Sequence, residues 1–217
     1  MKIVVYTAIT AGKDSLKNLP AFVAGVDQVL FTDRVKDHEG SAWDVRPACD
    51  LFKDSRRNSR AHKILAHEYL DDYDYSLWLD GSIWLRESPV KLVEQFLAEA
   101  DIAMFRHPAR NCLYVEAEGL INAGYSKREL AEQTAKYRRH GHPPNSGLHE
   151  CGVILRRHTD AIATFNAAWW AEYCRHSSRD QMSVNYVLRK LGVRVAELPG
   201  AVHENPGIVY LEDHLWR

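Results

Sequence analysis

Asp74-Tyr75-Ser76-Leu77-Trp78-Leu79-Asp80-Gly81-Ser82-Ile83-Trp84-Leu85 is the stretch that decides how the rest of the chain is read. Tyr75 to Leu79 reads as an apolar strand that runs into a carboxylate, a glycine and a hydroxyl. Open α/β sheets bind their ligands outside the carboxyl ends of the strands, so Asp80, Gly81 and Ser82 fall where chemistry is expected. Asp80 and Ser82 offer hard oxygen ligands for a divalent cation or a ribose, and Gly81 lets a ligand approach the backbone closely. Asp-Gly is also a common turn dipeptide, so a strand followed by a plain turn fits the same letters.

Upstream, Lys2 to Ile9 is an apolar, β-branched run ending in Thr10-Ala11-Gly12, a first strand feeding a small-residue loop that should face ligand. That loop is neither GxGxxG nor a Walker sequence, which leaves an NAD site or a P-loop ATPase unsupported. A second strand, Gln28 to Phe31, ends at Thr32-Asp33, where nucleotide-binding sheets place an acid against a base or ribose; a turn residue would look the same. From Asp54 to Leu70 the period becomes helical, with Ala61, Ile64, Leu65 and Tyr69 on one face. Arg60, Lys63 and His67 form another stripe, preceded by Arg56 and Arg57. This cationic edge suits a diphosphate, although a solvated basic face has the same pattern.

Downstream, Ser88-Pro89 opens a helix expected to end near Asp101, and Ile102 to Phe105 is the next strand. Arg106 to Leu120 has weak periodicity and reads as a loop or lid carrying His107, Arg110, Glu116 and Glu118. Ser126 and Glu129 form a capping box for a helix to about His140, where Gly141-His142-Pro143-Pro144 stops it. Cys151 to Leu155 is a strand, and Ile162, Phe165, Trp169 and Tyr173 mark a long amphipathic helix. Arg179-Asp180-Gln181 opens another helix that stops at Gly192. Val193 to Leu198 is a last strand, and the tail holds His203, Glu204, Asp213, His214 and Trp216.

A chain of 217 residues with 46% hydrophobic and 26% charged residues can bury a sizeable core as a single domain. No run approaches the roughly 18 apolar residues of a membrane span, and Met1 to Tyr6 is too short for a signal peptide, so a cytoplasmic protein is expected. Cys49, Cys112, Cys151 and Cys174 are widely spaced without a Cys-x-x-Cys pair, which argues for reduced thiols rather than a zinc site or disulfides. A net charge of −1 gives no global pull toward nucleic acid or membrane.

With these pieces in order, the chain resembles a nucleotide-sugar glycosyltransferase of the GT-A type. More narrowly, it is similar to the glycosyltransferase-like family of domain of unknown function 616, whose layout is like that of family 8 of the retaining glycosyltransferases. The matching residues are Val5 to Thr10 with Gly12, Phe31-Thr32-Asp33, Arg57 and Arg60 with Lys63, Trp78 to Ser82, His149 to Val153, and Arg179-Asp180-Gln181. The resemblance covers nearly the whole chain and implies an α/β fold: one Rossmann-like domain with a mostly parallel central sheet flanked by helices. It also implies that Tyr6, Thr7 and Ala8 line the nucleobase and ribose pocket, that Asp33 meets the base or ribose, and that Arg57, Arg60 and Lys63 face the diphosphate or donor sugar. Glu150, Gly152 and Gln181 then fall near the donor sugar and acceptor, with Asp180 close to the anomeric carbon. Asp80 and Ser82 take the places of the two acids of the Asp-x-Asp motif that hold Mn²⁺ or Mg²⁺, and His203 is the late metal ligand. The donor would be a nucleoside-diphosphate sugar such as a UDP-sugar. Ser82 departs from the pattern: it is neutral, so metal binding is expected to depend on the nucleotide.

The chemistry follows from charge. Cleaving a sugar from a nucleoside diphosphate builds positive character on the sugar and negative charge on the leaving phosphate. Arg60, Lys63 and a metal at Asp80 would stabilise the leaving group, while Asp180 or Glu150 would stabilise the sugar or activate the acceptor hydroxyl. The acceptor stays open among glycan, lipid, protein and modified nucleic acid. Two other readings are a nucleotide-sugar pyrophosphorylase, for which Thr10-Ala11-Gly12-Lys13 is a poor basic loop, and a non-catalytic glycan or nucleic-acid binding module using Arg56, Arg57, Arg138 and Arg139.

Overall fold

The structure, a computed structural model, describes residues 1–20 and 25–211; Asp213, His214 and Trp216 of the tail lie outside the described residues. Its centre is a seven-stranded sheet built from β1 (Ile3–Ile9), β2 (Asp27–Thr32), β3 (Asp44–Pro47), β4 (Tyr75–Leu79), β6 (Ile102–Arg106), β7 (His149–Arg157) and β8 (Val195–Leu198), in the order β3-β2-β1-β4-β7-β6-β8. β7 is antiparallel to both of its neighbours and the remaining pairings are parallel, which gives the mostly parallel sheet expected. β5 (Ile83–Leu85) and β9 (Val209–Leu211) form a separate antiparallel pair.

β1 reads as a continuous apolar run because both its faces are covered. Val4, Tyr6 and Ala8 join one core with Phe31, Trp78 and Ile154, under residues of α1 (Ser55–Ile64), α4 (Leu113–Asn122), α5 (Lys127–Arg139), α6 (Asp160–Arg175) and α7 (Gln181–Leu191). Ile3, Val5 and Ile9 join the other with Leu77, Leu79, Val153 and Leu155, under α3 (Pro89–Phe96) and the β5–β9 pair. No helix among the described residues is long and apolar enough to cross a membrane.

Several elements differ from the sequence reading. The helix over Asp54 to Leu70 is broken at Leu65 into α1 and the single turn α2 (Ala66–Tyr69). The Lys63 carbonyl, at the end of α1, accepts instead from the Tyr6 hydroxyl at 3.2 Å and from the Arg156 guanidinium at 2.8 Å. The segment expected as a loop or lid contains α4. α3 stops at Phe96 rather than near Asp101, and the Ser88 hydroxyl makes no capping bond, although Pro89 takes the first helical position. Ser126 does cap α5, accepting from Glu129 N at 3.3 Å.

One buried and one half-buried imidazole tie loops to this framework. His62 stacks on Phe31 with ring centroids 4.0 Å apart and accepts from Cys49 N at 2.9 Å, and burial pushes its pKa down to about 4. His158 contacts the Ser76 hydroxyl at 2.8 Å; burial, then Arg156 and His67, lowers its pKa to about 4 as well. Both folded values lie below the unfolded value near 6.5, so the native state binds fewer protons than the unfolded chain between those pH values. Stability should therefore be fully present above about pH 6.5 and fall as pH drops toward 4, by roughly 2–3 kcal/mol for each histidine at pH 4.5. Urea denaturation at pH 7 and pH 4.5 checks this, and His62→Asn should flatten the dependence. Equal stability at the two pH values would contradict it.

Candidate active site

The carboxyl ends of β1 and β4 open into a cleft of about 330 Å³, lined by Ala8, Thr10, Lys13, Asp14, Arg56, Ser59, Arg60, Trp78, Asp80, Gly81, Ser82 and Arg179. The turn after β4 is real: Ile83 N donates to the Asp80 carbonyl at 2.9 Å. The turn reading of Asp-Gly therefore holds, and the turn places Asp80 and Ser82 in the cleft lining. Gly81 is required by close approach. A Cβ there would lie 2.7 Å from Asp14 Cβ and 2.9 Å from Asp14 Oδ2.

Behind the cleft lies a charge network that joins distant segments. Lys63 Nζ is 2.6 Å from Asp180 Oδ2 and 3.1 Å from Asp80 Oδ1; its side chain is 1% exposed and that of Asp180 4%, against 32% for Asp80. Arg60 Nε is 3.1 Å from Asp180 Oδ2. Asp180 also caps α7 through Gln181 N at 2.9 Å. Burial alone would raise the Asp180 pKa, but Lys63, Arg60 and Arg179 overcome it and hold the carboxyl far below the usual range. Burial likewise works against the Arg60 charge and is outweighed by Asp180 and Asp80, which raise its pKa. Trp78 Nε1 donates to Asp80 Oδ1 at 2.8 Å, fixing the carboxylate from the other side.

The structure sorts the expected residues. Ala8, Arg60, Asp80, Gly81 and Ser82 line the cleft, and Lys63 stands directly behind Asp80. Tyr6 does not line a pocket: it is fully buried against Trp78, with its hydroxyl between Lys63 O and Arg156, because strand alternation puts it on the same face as Ala8 but two residues deeper. Thr7 faces the opposite side, beside Trp43, Leu79 and Asp80, with its buried hydroxyl unpaired. Arg57 also lies elsewhere, over the rings of Phe52 and Tyr173, and Arg56 takes the cleft position instead. Asp180 sits behind the cleft wall, so a carboxylate so deeply buried and ion-paired organises charge and is poorly placed to accept a proton. Gln181 accepts from Arg179 at 3.0 Å and so aims that guanidinium, a cleft residue that the sequence reading quoted within a motif without giving it a role.

Asp33 accepts twice from Ala11 N, at 2.9 and 3.1 Å, and with Thr10, Cys49, Phe52 and Asn58 lines an adjoining recess of about 440 Å³. On the far side, Gly152 O accepts from Asp80 N at 2.8 Å, and Glu150 Oε2 accepts from Val202 N at 3.0 Å. That bond brings the segment carrying the exposed His203 alongside β7. His107, in the expected lid, is committed to structure: its Nδ1 accepts from Ala109 N and Arg110 N, and its Nε2 is 3.8 Å from the buried Glu116. Arg138 covers the Tyr114 ring at 4.1 Å and does not join Arg56 in the cleft lining. Among the described residues, no three His, Cys, Asp or Glu side chains converge as a ready-made metal centre.

This is an α/β domain with a cation-rich cleft at the carboxyl edge of its parallel strands. Residues 41–199 match the family described as TOD1/MUCI70, glycosyltransferase-like domain, and the chain belongs to that family. It is 34% identical over 154 residues to the probable hexosyltransferase MUCI70 of Arabidopsis thaliana, covering 66% of this chain and 26% of that protein. It is 24% identical over 186 residues to the alkaline ceramidase TOD1 of the same plant, covering 77% of this chain and 39% of that one. The chain thus spans well under half the length of either relative. Among solved structures, mouse xyloside xylosyltransferase 1 superposes with a TM-score of 0.49 at 11% identity, covering 98% of this chain and 97% of that one. Galactosyltransferase LgtC gives 0.49 at 12% identity, covering 98% and 87%.

Proposed function

We propose that this chain is a glycosyltransferase that moves a sugar from a nucleoside-diphosphate sugar to an acceptor hydroxyl. The two named relatives carry different activities, so family membership leaves the reaction open. The observation that carries the proposal is the placement of Arg56, Arg60 and Arg179 around a cleft whose floor is the Lys63-backed Asp80. Three guanidiniums lining one cleft suit the oxygens of a diphosphate, and Arg60, held by Asp180, and Arg179, held by Gln181, would stabilise the charge of the departing phosphate at little cost in reorganisation. The recess beside Asp33 would take the nucleoside. Glu150 keeps one carboxylate oxygen without a hydrogen-bond partner among the described residues and is better suited than Asp180 to receive the acceptor proton. The leaving phosphate is the other acceptor for that proton, and the anomer of the product separates the two routes. The likeness to the GT-A type and family 8 belongs to this reading, as does a cytoplasmic setting with four free thiols.

Mg²⁺ or Mn²⁺ fits the donor set. Asp80 Oδ2 accepts no hydrogen bond among the described residues, and the Ser82 hydroxyl, open to the cleft, has no such partner either. A bound dication would neutralise the diphosphate as a Lewis acid. Asp80 and Ser82 would hold it; His203, beside Val202, does not line the cleft.

The test is a panel of nucleotide sugars, each with and without Mn²⁺, read first by thermal shift and then by release of nucleoside diphosphate without acceptor. Stabilisation by one nucleotide family followed by slow release supports the transferase. Pyrophosphate-dependent triphosphate formation would replace it with a pyrophosphorylase, and salt-dependent polymer binding with neither activity would replace it with a binding module. A second measurement locates the nucleoside. Cys49 is half-buried in the Asp33 recess, and burial raises its thiol pKa. The stabilising nucleoside diphosphate should slow its alkylation and leave that of Cys174, on α6, unchanged. Equal rates at Cys49 with and without nucleotide would move the nucleoside out of the recess.

A further inference from the structure

We propose that Asp14 supplies the carboxylate that Ser82 lacks, so that Asp14, Asp80 and Ser82 bind a divalent cation together with a nucleoside diphosphate. This rests on the nucleotide-sugar reading above. One carboxylate and one hydroxyl make a weak site for a hard dication, because neutral oxygens do not offset its charge. A second carboxylate comes from the loop after β1. Asp14 lines the same cleft as Asp80 and Ser82, and its side chain lies across the middle of the Asp80–Ser82 turn, in the space where a side chain on residue 81 would stand. The missing Cβ of Gly81 thus admits an acid from 67 positions earlier in the chain, next to the position where an acid would otherwise be encoded.

Ser82 provides an independent observation. It is only 7% exposed, lines the cleft, and its hydroxyl has no hydrogen-bond partner among the described residues. The hydroxyl oxygen opens to the cleft with no group among the described residues taking its lone pairs, so it is available to a ligand there. Asp80 adds a second oriented oxygen: Lys63 and Trp78 occupy Oδ1 and leave Oδ2 without a hydrogen-bond donor among the described residues. Three protein oxygens are still too few for Mg²⁺ or Mn²⁺, which take about six. Phosphate oxygens held by Arg56, Arg60 and Arg179 would fill part of the remainder. Metal and nucleotide must then bind cooperatively, and linkage makes the effect reciprocal.

The experiment compares wild type, Asp14→Asn, Ser82→Asp and the double variant. Mn²⁺ binding is followed by electron paramagnetic resonance, and nucleoside diphosphate binding by calorimetry across uridine, guanosine, adenosine, cytidine and thymidine diphosphates, in Mn²⁺ and in chelator. In Mn²⁺, Asp14→Asn should weaken the nucleotide by about tenfold or more, the scale on which metal-site neighbours act. In chelator the same variant should bind the nucleotide at least as well as wild type, because a carboxylate facing the diphosphate has been removed. Ser82→Asp should restore Mn²⁺ binding in the Asp14→Asn background. A merely structural Asp14 would lower affinity in both conditions and would not be rescued, which overturns the inference, as does wild-type Mn²⁺ binding by Asp14→Asn. Nucleotide binding by wild type that is indifferent to Mn²⁺ overturns the inference while leaving the transferase reading intact. No binding of any nucleoside diphosphate by wild type overturns both.

Discussion

Lys63→Met should cost about 3–5 kcal/mol of stability, the range seen when one partner of a buried ion pair is removed. The Lys63 ammonium is essentially inaccessible to water and bridges Asp180 at 2.6 Å and Asp80 at 3.1 Å. Methionine fills the volume of the stem but leaves Asp180, almost as deeply buried, with Arg60 as its remaining ion-pair partner at 3.1 Å. Burial would then weigh more heavily against the Asp180 charge. In the wild type the folded pKa of Asp180 is held below its unfolded value, so its contribution is present above about pH 4 and lost as pH falls below that. Without Lys63 the folded pKa rises, so the loss should begin at higher pH. Urea denaturation from pH 3 to pH 7 reads both effects. Lys63→Met combined with Asp180→Asn should be more stable than the sum of the single changes, because the second removes the charge that the first strands. A loss below about 1 kcal/mol for Lys63→Met would mean that the network is wetter than the structure describes.

The same network explains how far the sequence could be read. β1, β2, β4 and β7 were legible because each is an apolar run ending at a polar group, and the Ser126 cap of α5 was legible because it is local. β3 was not: Asp44-Val45-Arg46-Pro47 is a short, half-exposed edge strand with no run to detect. α4 carries Gly119 beside the Arg110–Glu116 pair, where a Cβ would lie 2.9 Å from Arg110 Nη2, and a glycine within the segment weakens the helical signal. The break at Leu65 follows an unbroken helical period, and the groups that receive the freed Lys63 carbonyl come from Tyr6 and Arg156, far away in the chain. One error at the site was avoidable. Tyr6, Thr7 and Ala8 cannot all face one pocket from one strand, since alternate residues point to opposite sides. Asp14 lay in the loop already expected to face ligand, yet without coordinates nothing distinguished it from a loop-surface acid.

Asp80→Asn should lower turnover by about 10²-fold or more while leaving the fold intact. The two halves of that expectation have separate causes. The variant keeps an oxygen to accept from the Trp78 indole and leaves the Lys63–Asp180 pair in place, so its melting temperature should stay close to wild type. What it loses is the negative charge at the cleft floor, and with it the carboxylate oxygen best placed to hold a cation against the diphosphate. An amide is a neutral, weaker ligand, and its NH₂ group would meet a donor in Lys63 or a cation in the cleft if it turned. The readout is release of nucleoside diphosphate from the stabilising nucleotide sugar, measured beside the thermal stability of the same preparation. Asp180→Asn is the necessary comparison, because its carboxylate lies in the same network but behind the wall. That change should reduce stability, whereas Asp80→Asn should reduce turnover. Wild-type turnover by folded Asp80→Asn would remove Asp80 from the chemistry, and equal loss of stability in both variants would make Asp80 a structural partner of Lys63.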